Sequence, residues 1–143
     1  MFKKIVLCLV FAMMIIGAVS AANQTNFKAP SDFVDIGDGV YVLYDSLQNA
    51  DEILSVVEYN EHDWKDYTTN DTENKYVVYK DKNNTYNFTD GSVNEAGSFE
   101  LIEVNGEMFI IDFAKTGNNG DFNKTYTNLL EFNKLNNIKP IEK

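Results

Sequence analysis

Apolar and polar positions alternate with a strand period over most of the chain and switch to a helical period only near its end. The clearest strand signal is Ser98–Ala114, where two β-branched-rich apolar runs flank Asn105-Gly106. A type I′ turn needs positive φ at both central residues, and Asn-Gly supplies it, so the segment predicts a two-residue hairpin. The turn sets the register: Val104 opposite Glu107, Glu103 opposite Met108, Ile102 opposite Phe109, Leu101 opposite Ile110. One face then carries Ile102, Val104, Phe109, Ile111 and Phe113, and the other Phe99, Leu101, Met108 and Ile110. Two apolar faces place this pair mid-sheet, with a cover on each side.

The rest of the pattern follows the same reading. Phe33–Ile36 and Val40–Tyr44 form strands around Gly37-Asp38-Gly39, which predicts a second hairpin. Ser46–Tyr59 fits both periods: Leu47, Ala50, Ile53, Leu54 and Val57 match a helix, whereas Ile53, Ser55, Val57 and Tyr59 match a strand. The Val56-Val57 pair favours a strand from Ile53 to Tyr59. Glu61–Tyr67 reads as a short helix or a loop. Lys75–Lys80 and Thr85–Thr89 bracket Asp81–Asn84 as a third hairpin, and Asp90–Gly97 reads as a polar loop. Asp121 can cap a helix to about Asn136, with Phe122, Tyr126, Leu129, Leu130 and Phe132 as its apolar stripe. The expected fold is α+β: an antiparallel sheet built from hairpins, with the C-terminal amphipathic helix on one face. The other face needs Glu61–Tyr67, a second sheet layer or a partner.

Composition adds an address. Lys3-Lys4, the apolar run Ile5–Val19 and the small residues Ala18-Val-Ser-Ala-Ala22 form a secretory signal peptide, 1–22, with cleavage after Ala21 or Ala22. The alternative is an uncleaved anchor, for which a run of about 15 residues falls short of the roughly 20 needed to span a bilayer. Residues 23–143 are then one exported domain, secreted or held at the cell surface, with no later segment apolar enough to span. Cys8 lies in the leader, where Val6-Leu7 make no lipobox. The domain therefore has no thiol, disulfide or cysteine metal site.

The chain carries a formal charge of −10, and loss of Lys3 and Lys4 deepens it to −12. All 12 basic residues are lysine. Without arginine for bidentate phosphate contacts, and with this charge, nucleic acid is excluded as a partner and an anionic membrane surface is disfavoured.

Candidate chemistry is sparse. His62, the single histidine, could be a base oriented by Asp63, but no nucleophile elbow accompanies it and one histidine cannot make a zinc site; it reads as a surface residue. Paired carboxylates could run a hydrolase, with Glu58, Asp63, Glu100 and Glu103 as candidates. Glu103 and Asp112 share a hairpin face with apolar residues and are expected at solvent-facing edges. Asp81-Lys-Asn83-Asn-Thr85 starts like a calcium loop, but Tyr86 stands where glycine is required; Asn118-Asn-Gly-Asp121 is a second oxygen-rich turn. Tyr41, Tyr44, Tyr59, Trp64, Tyr67, Tyr76, Tyr79 and Tyr86 could stack on a sugar or peptide, or simply pack the strands. Asn-x-Ser/Thr triplets at Asn23, Asn70, Asn83, Asn87 and Asn123 are glycan acceptors on an exported chain.

With its leader, the Phe27-Lys-Ala-Pro-Ser-Asp-Phe33 opening, Gly37–Asp45 and the ending Leu129–Pro140, the chain resembles small exported proteins of unknown function from methanogenic archaea. That resemblance implies export and carries over no functional residue. The order of strands closed by a helix is also similar to the PsbP-like fold, by fold analogy only. The function expected is a non-enzymatic surface or envelope module that binds an envelope polymer or exported protein. No catalytic residue, metal or cofactor is assigned. The alternatives are a carboxylate-dependent hydrolase and a domain weakly stabilised by calcium.

Overall fold

The computed structural model describes residues 26–81, 84–116, 122–139 and 141. The leader with Ala21 and Ala22, and Asn23, Asn83, Asn118 and Asp121, lie outside them. Seven strands form one antiparallel sheet: β1 (Val34–Gly37), β2 (Val40–Tyr44), β3 (Ala50–Glu58), β4 (Tyr76–Lys80), β5 (Tyr86–Asp90), β6 (Glu95–Val104) and β7 (Glu107–Thr116). Among the described residues two helices, α1 (Glu61–Thr68) and α2 (Asn123–Asn136), complete the α+β fold. Among the described residues no helix is long and apolar enough to cross a membrane.

The Asn105-Gly106 hairpin has the register read from its turn, with Val104 opposite Glu107 and Leu101 opposite Ile110. Asn105 and Gly106 sit at φ 54° and 83°. Around this pair the spatial order is β1-β2-β3-β7-β6-β5-β4. Two meanders are therefore joined where β3 pairs with β7, burying β7 on both sides. The ambiguous segment resolves as a strand because β7 offers it a full ladder, from Glu52 opposite Lys115 to Glu58 opposite Phe109. Asp90–Gly97 is not one loop: Glu95–Ser98 extends β6 and pairs with β5 and β7, leaving a turn at 91–94. Its polar composition hid a strand whose polar side chains are buried.

The crossover from β3 to β4 must pass β7, β6 and β5, about 19 Å at the usual strand spacing. Helix α1, about 12 Å long, covers part of that path. It forms because Asn60 caps it reciprocally: its Oδ1 accepts from Asp63 N at 2.7 Å, and its Nδ2 donates to Asp63 Oδ2 at 2.7 Å. Trp64 and Tyr67 then enter a core with Tyr76, Phe88, Phe99, Leu101, Ile110 and Ala114. The cover for the second face is thus Glu61–Tyr67.

The opposite face, with Ile102, Phe109, Ile111 and Phe113, lies under Leu129 and Phe132 of α2. Helix α2 ends as expected at Asn136: Asn137 adopts a left-handed conformation and Ile138 N–H returns to Asn133 O at 2.9 Å. The stripe differs from its expectation. Thr125, Leu129, Phe132 and Asn133 are buried, whereas Leu130 is 46% exposed. Polar residues lie inward because the sheet beneath them is polar. The helix starts after Phe122, with no side-chain cap bond.

The edge strand β4 is partly closed. Asn70 Oδ1 accepts the Val78 N–H at 2.8 Å, and Asp71 and Tyr76 exchange both backbone bonds at 2.9 Å.

Candidate functional site

The residues singled out by sequence do not converge. His62 is exposed on α1, with Nδ1 3.7 Å from Asp63 and 3.8 Å from Asp66. Glu58 and Glu103 are exposed, on strands where alternation places them on opposite faces of the sheet. Asp81 serves its turn and α2: Oδ1 accepts Thr85 N at 3.0 Å and Oδ2 accepts the Tyr126 hydroxyl at 3.1 Å. Among the described residues no group of three His, Cys, Asp or Glu is placed to hold a metal ion. Tyr41, Trp64, Tyr67 and Tyr76 are buried, Tyr59 and Tyr86 are half-buried, and Tyr44 and Tyr79 are exposed on strands far apart in the sheet. No shared aromatic face results. Asn70 and Asn123 are exposed, but Asn87 is buried, with Oδ1 accepting from Ser98 Oγ at 2.6 Å. Its burial sets Asn87 apart from those two as an acceptor on the folded chain.

What the structure does assemble is a set of interior carboxyls. Glu52, Asp90, Glu95, Glu100 and Asp112 are each no more than 2% exposed. Asp112 therefore does not sit at a solvent edge. It lies on the central strand β7, between Ser55 of β3 and Phe99 of β6.

Strand alternation divides the five. On the α2 face, Glu100 accepts from Thr85 Oγ1 at 3.1 Å and from Asn133 Nδ2. Beside it, Ser98 Oγ meets Thr125 Oγ1 at 3.0 Å, and Asn128 donates to Glu52 Oε2 at 2.9 Å. Burial pushes Glu100 up to about 7 against those two donors, and raises Glu52 as well.

On the α1 face, Tyr76, Asp90 and Glu95 stand directly opposite one another across β4, β5 and β6. Asp112 accepts from the Tyr67 hydroxyl at 3.0 Å, and the Tyr76 hydroxyl donates to Tyr67 O at 2.8 Å. Burial, with repulsion from Asp112 and Asp90, pushes Glu95 up to about 8; burial pushes Asp112 up to about 7, opposed by the Tyr67 bond. Both Glu95 oxygens, Asp90 Oδ2 and Asp112 Oδ1 are buried without a hydrogen-bond partner among the described residues.

Protein-family models, curated proteins and solved structures were all compared with the chain, and none matches. The chemistry available is therefore what the geometry supplies. A carboxyl that keeps its proton to near-neutral pH is a buried donor, and it becomes a buried charge when the proton leaves. One signal for this was in the sequence: Asp112 interrupts Phe109–Ala114, an otherwise apolar run flanked by partners on both sides. A second was Asn60-x-x-Asp63, which marks the start of α1.

Proposed function

We propose that this chain is an exported, non-enzymatic module that offers its surface to an envelope polymer or another exported protein. The observation that supports this reading is the placement of its carboxyls. The five in the sheet are sealed beneath the helices, out of reach of a substrate, and the exposed candidates Glu58 and Glu103 sit on opposite faces. The leader and the lysine-only basic set agree with it.

On this reading Asn70 is the acceptor best suited to a glycan. It and Thr72 are both exposed in the loop after α1, and its Oδ1 is already held by Val78 N–H. At Asn123 the triplet is wound into α2 with its Thr125 buried.

The test is the intact mass of the protein from its native cells, by fraction, followed by capture on purified envelope polymers and co-exported proteins. Support is a chain cut after Ala21 or Ala22, found in the envelope or medium, bearing sugar mass that Asn70→Gln removes, and retained by one polymer or protein at micromolar concentration. An uncut chain in the cytoplasm overturns export, and no retention by any of them overturns the binding role.

A further inference from the structure

Helix α1 is the smaller of the two helices, and it closes the most acidic part of the interior. Two aromatic side chains hold it down. Trp64 meets Tyr86 and Phe99 edge-on, with ring centroids at 5.3 and 5.7 Å, and Tyr67 lies against Phe99 at 5.0 Å. Its other side chains are mostly polar: Glu61, His62, Asp63, Lys65, Asp66 and Thr68.

Glu95 is faced by Asp90 from β5 and Asp112 from β7, both of which raise it. Tyr76 from β4 lies within the field of Asp112, Asp90 and Asp66, the last contributed by α1 itself. The lysines are directed elsewhere. Lys65 and Lys75 are exposed, the latter with its stem against Gly91, and Lys115 Nζ is bonded to Asp51 Oδ1 at 2.6 Å. The carbonyl end of α1 also points its negative pole inward, since Tyr67 O accepts from the buried Tyr76 hydroxyl. Among the described residues every charged group facing Glu95 is therefore an acid, and four of the carboxylate oxygens in the group have no donor there.

We infer that α1 is a pH-gated lid: proton loss from Glu95 and Asp112 lifts the helix off the sheet, and proton gain closes it again. With both groups neutral, the aromatic contacts suffice to seat eight residues. With both ionised, anions stand in a dry layer without a cation, and lifting α1 is the smallest movement that lets water reach them. The sheet does not need the lid, because β3, β7 and β6 are held by backbone ladders and by the separate core under α2. The sign follows from linkage. Closed, the two groups titrate near 8 and 7; open to water, they return to ordinary carboxyl values near 4.5 and 3.8. The closed form binds more protons, so closure is favoured at low pH and weakens as pH rises through that interval. Glu100 is not part of the gate: it lies on the other face and has two donors.

The chain has one tryptophan, Trp64, and it is 8% exposed, so its emission reports the lid. The experiment is acrylamide quenching of that emission from about pH 5 to about pH 9, with amide protection followed in parallel. The expected result is a several-fold rise in quenching with a midpoint between about 7 and about 8. Protection should vanish in α1 and persist in β6 and β7. The double variant Glu95→Gln, Asp112→Asn, which mimics the protonated state, should stay closed throughout, and Glu100→Gln should titrate like the parent chain. Carbon-13 titration of the Glu95 and Asp112 carboxyls in the unaltered protein gives a reading that does not depend on the variants folding; their midpoints should coincide with that of Trp64. Quenching that stays flat, carboxyl midpoints that do not track it, a double variant that opens like the parent, or loss of α1 and sheet protection together would each overturn the inference.

Discussion

The Tyr67 hydroxyl donates to Asp112 Oδ2 at 3.0 Å, tying the crossover helix to the middle strand of the sheet across 45 residues of sequence. The same residue's carbonyl accepts the Tyr76 hydroxyl, so one side chain and one peptide group join α1, β7 and the edge strand β4. Tyr67→Phe keeps the ring on Phe99 but removes the only donor that Asp112 has among the described residues. The expected loss is about 1–3 kcal/mol. It should be larger at pH 5, where α1 is seated and the bond is made, than at pH 8, where the lifted helix no longer reaches Asp112. Urea denaturation at both pH values measures it, and equal losses would show that α1 stays seated at both.

Stability as a whole should peak on the acid side. Glu95, Asp112 and Glu100 titrate near 8, 7 and 7 in the folded chain, far above their ordinary values, and Glu52 is shifted the same way. A raised carboxyl favours folding below its unfolded pKa, and that contribution is lost as pH rises through the folded value. Glu95, Asp112 and Glu100 are each worth on the order of a few kcal/mol. Relief of the excess negative surface charge acts in the same direction. Melting temperature should therefore fall continuously from about pH 4.5 to about pH 8; a profile that rises over this range would contradict the interior carboxyls.

The two faces of α2 should respond differently to truncation. Phe132 is fully buried between Phe27 and Phe113, and Phe132→Ala should cost about 3–5 kcal/mol. Leu130 is half-exposed, and Leu130→Ala should change stability by no more than about 0.5 kcal/mol. Equilibrium unfolding of the two variants compares them directly.

Gly97 is required by close approach. A methyl group there would meet the Phe113 carbonyl oxygen and lie 2.5 Å from the Phe88 ring, with backbone on one side and a packed core on the other. Gly97→Ala should cost at least about 3 kcal/mol, the upper end of ordinary overpacking, and soluble yield together with melting temperature will show it. Gly91→Ala meets only the flexible stem of Lys75 and should be far milder.

Local chemistry made much of the sheet readable. Asn105-Gly106 fixes a turn, the turn fixes the register, and the register sorts nine apolar side chains onto two faces without reference to anything distant. Gly37-Asp38-Gly39 and Asp81–Asn84 likewise marked where hairpins form, between β1 and β2 and between β4 and β5. The pairing of β3 with β7 joins residues some sixty positions apart, and no local pattern encodes it. Burial of Asp112 depends on that pairing, so its carboxyl looked like a rim residue. Glu95 was hidden for a related reason: Asn94-Glu-Ala-Gly97 has loop composition, and only neighbours on both sides make it a strand. The polar inner face of α2 could not be read either, since Thr125 and Asn133 point inward to meet Ser98 and Glu100, which are themselves buried polar residues.

The loop after α1 does more than connect. Because Asn70 and Asp71 already occupy the outward backbone groups of Val78 and Tyr76, a second copy arriving at that rim finds those positions taken. Strand addition is hindered at those two positions, where one amide side chain and one bridge already hold the backbone, so that this part of the rim is a poor template for fibres.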